Sequence, residues 1–252
     1  MEKELIGHNK EIESKIFKKY AELRERGLCK DCVSVKRVND GLPVSFFVIG
    51  EDFLKQEQRI MFVGKTVQDE WEDEPINNVS GFIDSRRYAK EQLFLPFWRD
   101  LPFWQCIKEI CRNLWKTTDE ESIWRKIAIT DVVKCSTSEY KDTTPELLKN
   151  NCILNAGFFE QEVILTQPTH MILFVGSGYD KYLEDLDFGL KYKDLDRVEG
   201  GIKLWQRNFL ENGQVKMRFL RTYHPGFFKR RKKEVRQNFC QLIADWIVNT
   251  PI

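Results

Sequence analysis

The segment KIAITDVVKC, residues 126–135, decides the class of fold that this sequence can adopt. It is an almost continuous apolar run that ends in polar residues, which is typical of a strand buried on both faces of a sheet. Similar runs lie at residues 59–64 (RIMFVG) and 170–176 (HMILFVG), and a fourth lies at residues 215–223 (VKMRFLRTY). We expect these four runs to form one sheet.

Helical patterns alternate with the four predicted strands. The clearest covers residues 145–166, with Thr144 as the N-cap and Pro145 in the first helical position. A second is expected at about residues 230–248. This alternation predicts an α/β fold of three layers, αβα, around a central, mainly parallel four-stranded sheet, with a site at the carboxyl ends of the strands. Near the N-terminus we expect an amphipathic helix that ends at Gly27 and has Ile12, Ile16, Tyr20 and Leu23 on its apolar face.

The composition excludes several classes of protein. With 42% hydrophobic residues among 252, the chain can bury a sizeable core, so general disorder is excluded. Its 40 basic and 39 acidic residues exclude a polycation that coats nucleic acid over its whole surface. Because the sequence has neither an apolar run of about 20 residues nor the apolar core of a signal peptide, we expect a cytoplasmic protein without a membrane partner.

Four of the seven cysteines have the spacing of metal ligands. Cys29 and Cys32 form a C-x2-C pair, which lets two thiolates face one metal centre. Cys135 ends the second predicted strand, and Cys152 follows after sixteen residues, inside the predicted helix. An odd number of cysteines without an export signal argues against a disulfide framework, and the spacing fits both an iron–sulfur cluster and a zinc site. The cysteines that match no ligand pattern, expected to be buried small hydrophobic residues, are Cys106, Cys111 and Cys240.

In their order along the chain, these features resemble the iron–sulfur branch of the uracil-DNA glycosylase superfamily, often called family four. That family has an N-terminal CxxC, a strand that reads TNVVKC, a cysteine about seventeen positions further on, and a loop of the HPS type. The counterparts here include ITDVVKC at residues 129–135, ILFVG at residues 172–176 and Tyr-His-Pro at residues 223–225. The resemblance covers roughly residues 27–248.

The resemblance implies one uracil-DNA glycosylase-like domain over residues 1–252, acting as a monomer. It also implies a structural [4Fe–4S] cluster held by Cys29, Cys32, Cys135 and Cys152, with zinc as the alternative cofactor. The segment 1–40 is then expected to pack on the rest of the domain through this metal site.

Cleaving the bond between a pyrimidine and its sugar leaves positive charge on the sugar and negative charge on the departing base. His224, in RTYHPGFF directly after the fourth predicted strand, is the candidate donor, and by resemblance it hydrogen-bonds to O2 of the base. The loop after the first predicted strand replaces the family's GEAPG motif, and Lys65 stands where that motif has its glutamate. The acid function is therefore expected at Asp69 or Glu70, unless the reaction proceeds mainly by stabilising the leaving base or hydrolysis is lost.

Asp131 is the candidate base reader, because it matches the asparagine of TNVVKC. A carboxylate accepts a hydrogen bond from the N4 amino group of cytosine but opposes O4 of uracil unless it is protonated. The small residues Gly176, Ser177 and Gly178, after the third predicted strand, would give room for a wide base. The other base-binding candidates are Gly64, Lys65 and Phe82, with Phe94, Phe97 and Trp98 as alternatives to Phe82.

A basic block at residues 229–236 follows the histidine loop. The block lies at the start of the last predicted helix, where the helix macrodipole disfavours cations. Contact with DNA phosphates would explain why basic residues stand there. Phe227 and Phe228, in the turn before it, suggest a wedge that enters the duplex. The residues expected to contact DNA are Ser177, Phe227, Lys229, Arg230, Arg231 and Lys232.

The sequence thus predicts a DNA glycosylase that flips out a pyrimidine nucleotide, hydrolyses its N-glycosidic bond and leaves an abasic site. Asp131 favours a modified cytosine as the target, of the kind found in some phage genomes, and hence a role in antiviral defence. One alternative is a uracil-DNA glycosylase in base-excision repair. A second is a catalytically silent DNA-binding or damage-sensing protein of the same fold, and a third is a zinc-stabilised α/β protein that acts on a small nucleotide.

Overall fold

The computed structural model describes residues 8–27, 32, 47–66, 101–134, 144–195, 204–228 and 231–252, which are built around one mixed sheet. The strands lie in the order β1-β3-β2-β4-β7-β6-β5. Their bounds are β1 Val48–Ile49, β2 Ile60–Thr66, β3 Ile127–Val133, β4 His170–Leu173, β5 Lys191–Leu195, β6 Trp205–Glu211 and β7 Gln214–Arg221.

The four predicted strands are β2, β3, β4 and β7, and each runs parallel to its neighbour among them. The chain therefore has an α/β fold, but the prediction of a four-stranded sheet is wrong, because the sheet has seven strands. The short β1 extends it antiparallel to β3, and β6 and β5 extend it antiparallel beyond β7. Strand β2 continues to Thr66, so Gly64 and Lys65 lie in a strand and not in the loop expected there.

A hairpin that we did not predict joins β6 to β7. Its two turn residues, Asn212 and Gly213, have φ angles of 52° and 81°, the left-handed values that a tight hairpin turn requires. Residues Glu211 and Gln214 pair across this turn. Asn-Gly between two alternating segments is a strong hairpin signal in a sequence, so the information for β6 was present.

Helices pack against both faces of the sheet. One hydrophobic core contains Ile16 and Tyr20 of the first helix with Phe158, and the other contains Ile107 and Ile243. None of the helices in the described ranges is both long and apolar enough to cross a lipid bilayer. The α-helices are α1 Lys10–Glu25, α2 Pro102–Trp115, α3 Glu120–Lys126, α4 Glu146–Lys149, α5 Phe158–Thr166, α6 Asp180–Leu183 and α7 Lys233–Asn249; a π-helical turn covers Asn150–Asn155, and 3-10 turns cover Phe53–Lys55, Ser177–Tyr179 and Pro225–Phe228.

The single helix predicted at residues 145–166 is wrong, because α4, the π-helical turn and α5 divide this segment. The amide of Ala156 donates to the carbonyl of Asn151 at 2.8 Å, the i→i+5 bond that defines a π turn. Gly157 follows with a φ of 63°, a left-handed conformation that interrupts the helix at no steric cost to glycine. Pro145 is the N-cap, and Thr144 accepts a 2.6 Å hydrogen bond from the hydroxyl of Tyr179 instead.

The outer helices deviate less from the predictions. In α1 the residues Ile12, Ile16 and Tyr20 are buried, and Gly27 has a φ of 77° just after the helix end. The last helix, α7, begins at Lys233 and not at residue 230. Most of the basic block therefore precedes α7, and the unfavourable interaction of cations with the helix dipole concerns only the basic residues of its first turn.

His170, at the start of β4, contacts the residue that follows α7 and so links this part of the chain to the sheet. Its Nε2 lies 2.9 Å from the carbonyl oxygen of Thr250, and its Nδ1 lies 3.0 Å from the hydroxyl of Thr169. Burial lowers the pKa of His170 from 6.5 to about 4, so the ring stays neutral in the folded protein at pH values where it is protonated in the unfolded chain.

We therefore expect the stability to fall as the pH is lowered from 6.5 to about 4, since the unfolded chain then binds a proton that the folded state does not. The loss attributable to this group is about 3 kcal/mol. Urea unfolding across this pH range measures it, with His170→Gln as the control that keeps a hydrogen-bonding side chain and does not titrate. An equal pH dependence in the wild type and the glutamine variant would contradict the prediction.

Candidate functional site

The carboxyl ends of β2 and β3 bring Gly64 and Asp131 side by side. A Cβ atom at position 64 would overlap a carboxylate oxygen of Asp131 and would lie 3.3 Å from the ring of Phe103. Glycine at this position therefore lets the carboxylate and the ring approach the strand. Asp131 itself is only 6% exposed, so its carboxylate lies in a largely enclosed setting.

Phe103, near the start of α2, connects Asp131 to the histidine loop. Its ring is parallel to the ring of His224, with 6.1 Å between the centroids and an angle of 5° between the planes. Its position is also set by Phe174, against which it packs edge to face at 5.8 Å. Gly64, Asp131, Phe103 and His224 thus form one group at the carboxyl edge of the sheet, which we call the carboxyl-edge cluster.

The turn after β7 fixes the protonation pattern of His224. The backbone amide of Gly226 lies 3.1 Å from Nδ1 of this ring, and because a backbone amide can only donate, Nδ1 is the acceptor. The proton of the neutral ring then sits on Nε2. A Cβ atom at position 226 would lie 3.0 Å from Nδ1, so glycine permits this close approach. The half-buried imidazole therefore presents Nε2–H as its donor.

On the opposite face of β3, a buried ammonium group holds the end of the strand. Nζ of Lys134 donates to the Thr130 hydroxyl at 2.6 Å, to a carboxylate oxygen of Glu162 at 2.7 Å and to the carbonyl oxygen of Asp131. The side chains of Lys134 and Glu162 are fully buried. Burial lowers the pKa of Lys134 to about 7 and raises that of Glu162, while three oxygen acceptors around Nζ favour the ammonium form.

The structure brings together two of the four predicted metal ligands in one region. Cys32 and Cys152 are buried in the same hydrophobic core. The side-chain amide of Asn151, the residue before Cys152, donates to the sulfur of Cys32 at 3.2 Å. Such N–H donation to sulfur suits a thiolate ligand and tunes iron–sulfur sites, so this environment fits the proposed cluster.

Cys29 and Cys135, the other two predicted ligands, lie outside the described residues. Within the described part of the chain, no group of three or more His, Cys, Asp or Glu side chains is arranged to hold a metal ion. The last described residue before Cys135 is Lys134, whose ammonium group anchors the strand end.

An aromatic and basic edge adjoins the carboxyl-edge cluster. The rings of Tyr223 and Phe227 are stacked, with 4.9 Å between centroids and 16° between planes. Phe227 is 55% exposed, and the guanidinium group of Arg231 lies 5.6 Å from its ring centroid. Lys232, the next residue in the chain, is exposed. We call Tyr223, Phe227, Arg231 and Lys232 the aromatic–basic edge.

The remaining predicted residues are not part of either group in the described structure. Lys65 is half-buried near the end of β2, and Ser177 is exposed in the 3-10 turn after β4. The predictions for the other site residues concern positions outside the described ranges, namely Asp69, Glu70, Phe82, Phe94, Phe97, Trp98, Lys229 and Arg230.

Phe103 is a site residue that was not predicted from the sequence. It belongs to the aromatic segment at residues 93–104, in which other rings were considered for stacking. The available signal was its place directly after Pro102, because a proline in the first turn marks the start of a helix. A helix that starts at the edge of a parallel sheet places its first side chains near the strand ends.

Comparison with protein-family models and with curated proteins finds nothing that matches this chain. The carboxyl-edge cluster contains an acceptor at Asp131, an aromatic ring at Phe103 and an N–H donor at His224. Together these groups can bind a planar heterocycle that has polar atoms on its edge.

We predict that the neutral ring of His224 carries its proton on Nε2. Nitrogen-15 NMR of histidine-labelled protein should show an unprotonated Nδ1 for this residue. Gly226→Ala should shift these resonances, because the added Cβ would press on Nδ1. Gly178→Ala is the control, since a Cβ there meets nothing within 4 Å. A proton found on Nδ1 in the wild type would overturn the assignment.

Proposed function

We propose that this protein is a DNA glycosylase that removes a pyrimidine base from a flipped nucleotide, with a modified cytosine as its target. The observation that carries the proposal is the carboxyl-edge cluster, in which a carboxylate, an aromatic ring and an N–H donor adjoin one another. An enzyme of this class needs a group that reads the base edge, an aromatic surface, and a donor to the departing base.

Asp131 would read the base. In its ionised form it accepts the N4 amino hydrogen of a cytosine-type base, which an asparagine also does, but it cannot donate to O4 of uracil. An enzyme that removed ordinary cytosine would damage the DNA of its own cell. We therefore propose a hydroxymethylated or glucosylated cytosine in phage DNA as the substrate, and antiviral defence as the role.

His224 would stabilise the leaving base. Because the amide of Gly226 donates to Nδ1, the neutral ring carries its proton on Nε2, and this Nε2–H would hydrogen-bond to O2 as negative charge develops there. Phe103, parallel to the imidazole, provides an aromatic surface next to this donor. Asp69 or Glu70 would hold the water that attacks the sugar, or the reaction would proceed mainly by stabilising the leaving group.

The aromatic–basic edge would contact the duplex. Exposed Phe227, supported from behind by Tyr223, has the form of a wedge that replaces the flipped base in the stack. Arg231 and Lys232, with Lys229 and Arg230, would bind phosphates in front of α7.

Cys29, Cys32, Cys135 and Cys152 would hold a [4Fe–4S] cluster, with zinc as the alternative. When bound, the group would act as a structural link between the N-terminal segment, the end of β3 and the π-helical turn. The hydrogen bond from Asn151 to the sulfur of Cys32 supports this reading. We further propose that the protein acts as a monomer in the cytoplasm.

A base-excision panel tests the proposed activity. Duplexes that contain uracil, cytosine, hydroxymethylcytosine or glucosylated hydroxymethylcytosine are incubated with the protein and then cleaved at abasic sites with alkali. We expect cleavage at a modified cytosine, and a loss of about 100- to 1,000-fold for His224→Ala, since it removes a donor to the leaving group. Asp131→Asn should increase cleavage at uracil relative to cleavage at the modified cytosine.

Asp245→Asn is the matched control, because this exposed carboxylate of α7 accepts a hydrogen bond from Gln241 and is not one of the proposed site residues. Abasic sites only at uracil with the wild type would favour a repair enzyme. Salt-dependent DNA binding without any abasic product would favour the catalytically silent alternative and refute the proposed reaction.

A separate measurement tests the cofactor. The purified protein should be brown, with absorbance near about 400 nm and with iron and sulfide in equal amounts. Cys32→Ser should lose this absorbance, whereas Cys111→Ser should retain it, because Cys111 is buried in the other hydrophobic core. A colourless protein that contains stoichiometric zinc would show that the cofactor is zinc and not an iron–sulfur cluster.

A further inference from the structure

Two cysteines outside the proposed ligand set lie in contact with each other. The sulfur atoms of Cys106 in α2 and Cys240 in α7 are 3.3 Å apart, within hydrogen-bonding distance for sulfur. Both side chains are largely buried. From the sequence they are expected to be small buried hydrophobic residues, but this contact joins two cysteines that are 134 residues apart in sequence and lie in different helices.

The pair is accessible from a cleft between α2 and α7. The cleft has a volume of about 220 Å³ and is lined by both cysteines. Polar and charged side chains from both helices also line it, including Gln105, Glu109, Arg236 and Gln237. A solvent-connected cleft of this size, lined in part by these polar side chains, can hold several water molecules, so a small polar oxidant can reach the sulfur atoms.

We propose that Cys106 and Cys240 are a redox-active pair, which a hydroperoxide converts into one reversible disulfide between α2 and α7. Disulfides in reducing compartments are mostly transient and redox-responsive, which is the behaviour expected of a pair that the fold holds together as thiols.

The reaction proceeds in two balanced steps. Cys240 loses its proton and, as a thiolate, attacks one oxygen of hydrogen peroxide; the S–O bond forms, the O–O bond breaks, and the departing hydroxide takes up the released proton to leave as water. The sulfur of Cys106 then attacks the sulfenic sulfur; the S–S bond forms, the S–OH bond breaks, and a second water leaves with the proton of Cys106. Two thiols lose two electrons, and the peroxide is reduced to two waters.

The surroundings distinguish the two thiols. Burial and the hydrogen bond with Cys240 raise the pKa of Cys106, so its thiol reacts slowly with peroxide itself. Arg236 lies one turn before Cys240 and lines the same cleft. We accordingly assign Cys240 to the first step and Cys106 to the second.

Cys111 provides a matched control within the same helix as Cys106. It is fully buried, it does not line the cleft, and burial raises its pKa far above the usual range. It should therefore remain a thiol under conditions that oxidise the pair.

The disulfide would also connect two parts of the carboxyl-edge cluster. Phe103 lies three residues before Cys106 in α2, and Pro225 and Phe228, which follow His224, line the cleft. Joining α2 to α7 would hold the helix that carries Phe103 against the turn that carries His224.

Thiol mapping tests the proposal on the full chain. Protein prepared without oxygen is treated with hydrogen peroxide, alkylated with N-ethylmaleimide under denaturing conditions, digested, and analysed by mass spectrometry. We expect Cys106 and Cys240 to lose their alkyl adducts together and to appear in one cross-linked peptide, which dithiothreitol removes. Cys111 should remain fully alkylated. The readout is the thiol state, so it stands whether or not the protein cleaves DNA.

Two variants check the order of the steps. In Cys106→Ser, Cys240 should stop at the sulfenic acid and be trapped by dimedone, whereas in Cys240→Ser, Cys106 should stay alkylated. The proposal is refuted if both cysteines of the wild type remain alkylated after peroxide, or if either forms its disulfide with a different cysteine. The wild-type measurement tests whether the disulfide forms, even if a serine variant fails to fold.

Discussion

The ammonium group of Lys134 is the interaction on which the rest of the site depends. It ties the end of β3 to Glu162 in α5 and to the carbonyl of Asp131, in a place without access to water. Removing one partner of such a buried pair lowers the free energy of unfolding by about 3–5 kcal/mol. The strand end therefore has little freedom to move. Because side chains alternate along a strand, the carboxylate of Asp131 then points to the opposite face, over Gly64 and towards Phe103.

The sequence was sufficient for those parts of the fold that continuous apolar runs encode. The strands β2, β3 and β4 are buried on both faces, so their composition differs clearly from everything around them. The edge strand β5 was missed because its residues Lys191–Leu195 are exposed and polar, which gives no apolar run to detect. The break at Gly157 was missed for another reason: its flanking residues are helical by composition, and only the backbone geometry shows where the helix is interrupted.

For the site, the sequence indicated which strand ends to examine, and the structure places Asp131 and His224 there. It did not indicate Phe103, since the contact between residues 103 and 224 depends on how α2 crosses the edge of the sheet. The orientation of the imidazole depends on the 3-10 turn at Pro225–Phe228, in which the amide of Gly226 reaches Nδ1. The contact between Cys106 and Cys240 likewise follows from helix packing and has no local signature.

The π-helical turn at Asn150–Asn155 limits how this protein can change in length. A π turn contains one residue more than the regular helix it interrupts, and Cys152 lies within it. Deleting one residue there would restore regular winding and rotate the side chains on one side of the deletion by roughly 100° relative to those on the other. Point substitutions at its solvent-facing Leu154 should be tolerated, whereas insertions and deletions should be selected against, because they would turn the amide of Asn151 away from the sulfur of Cys32.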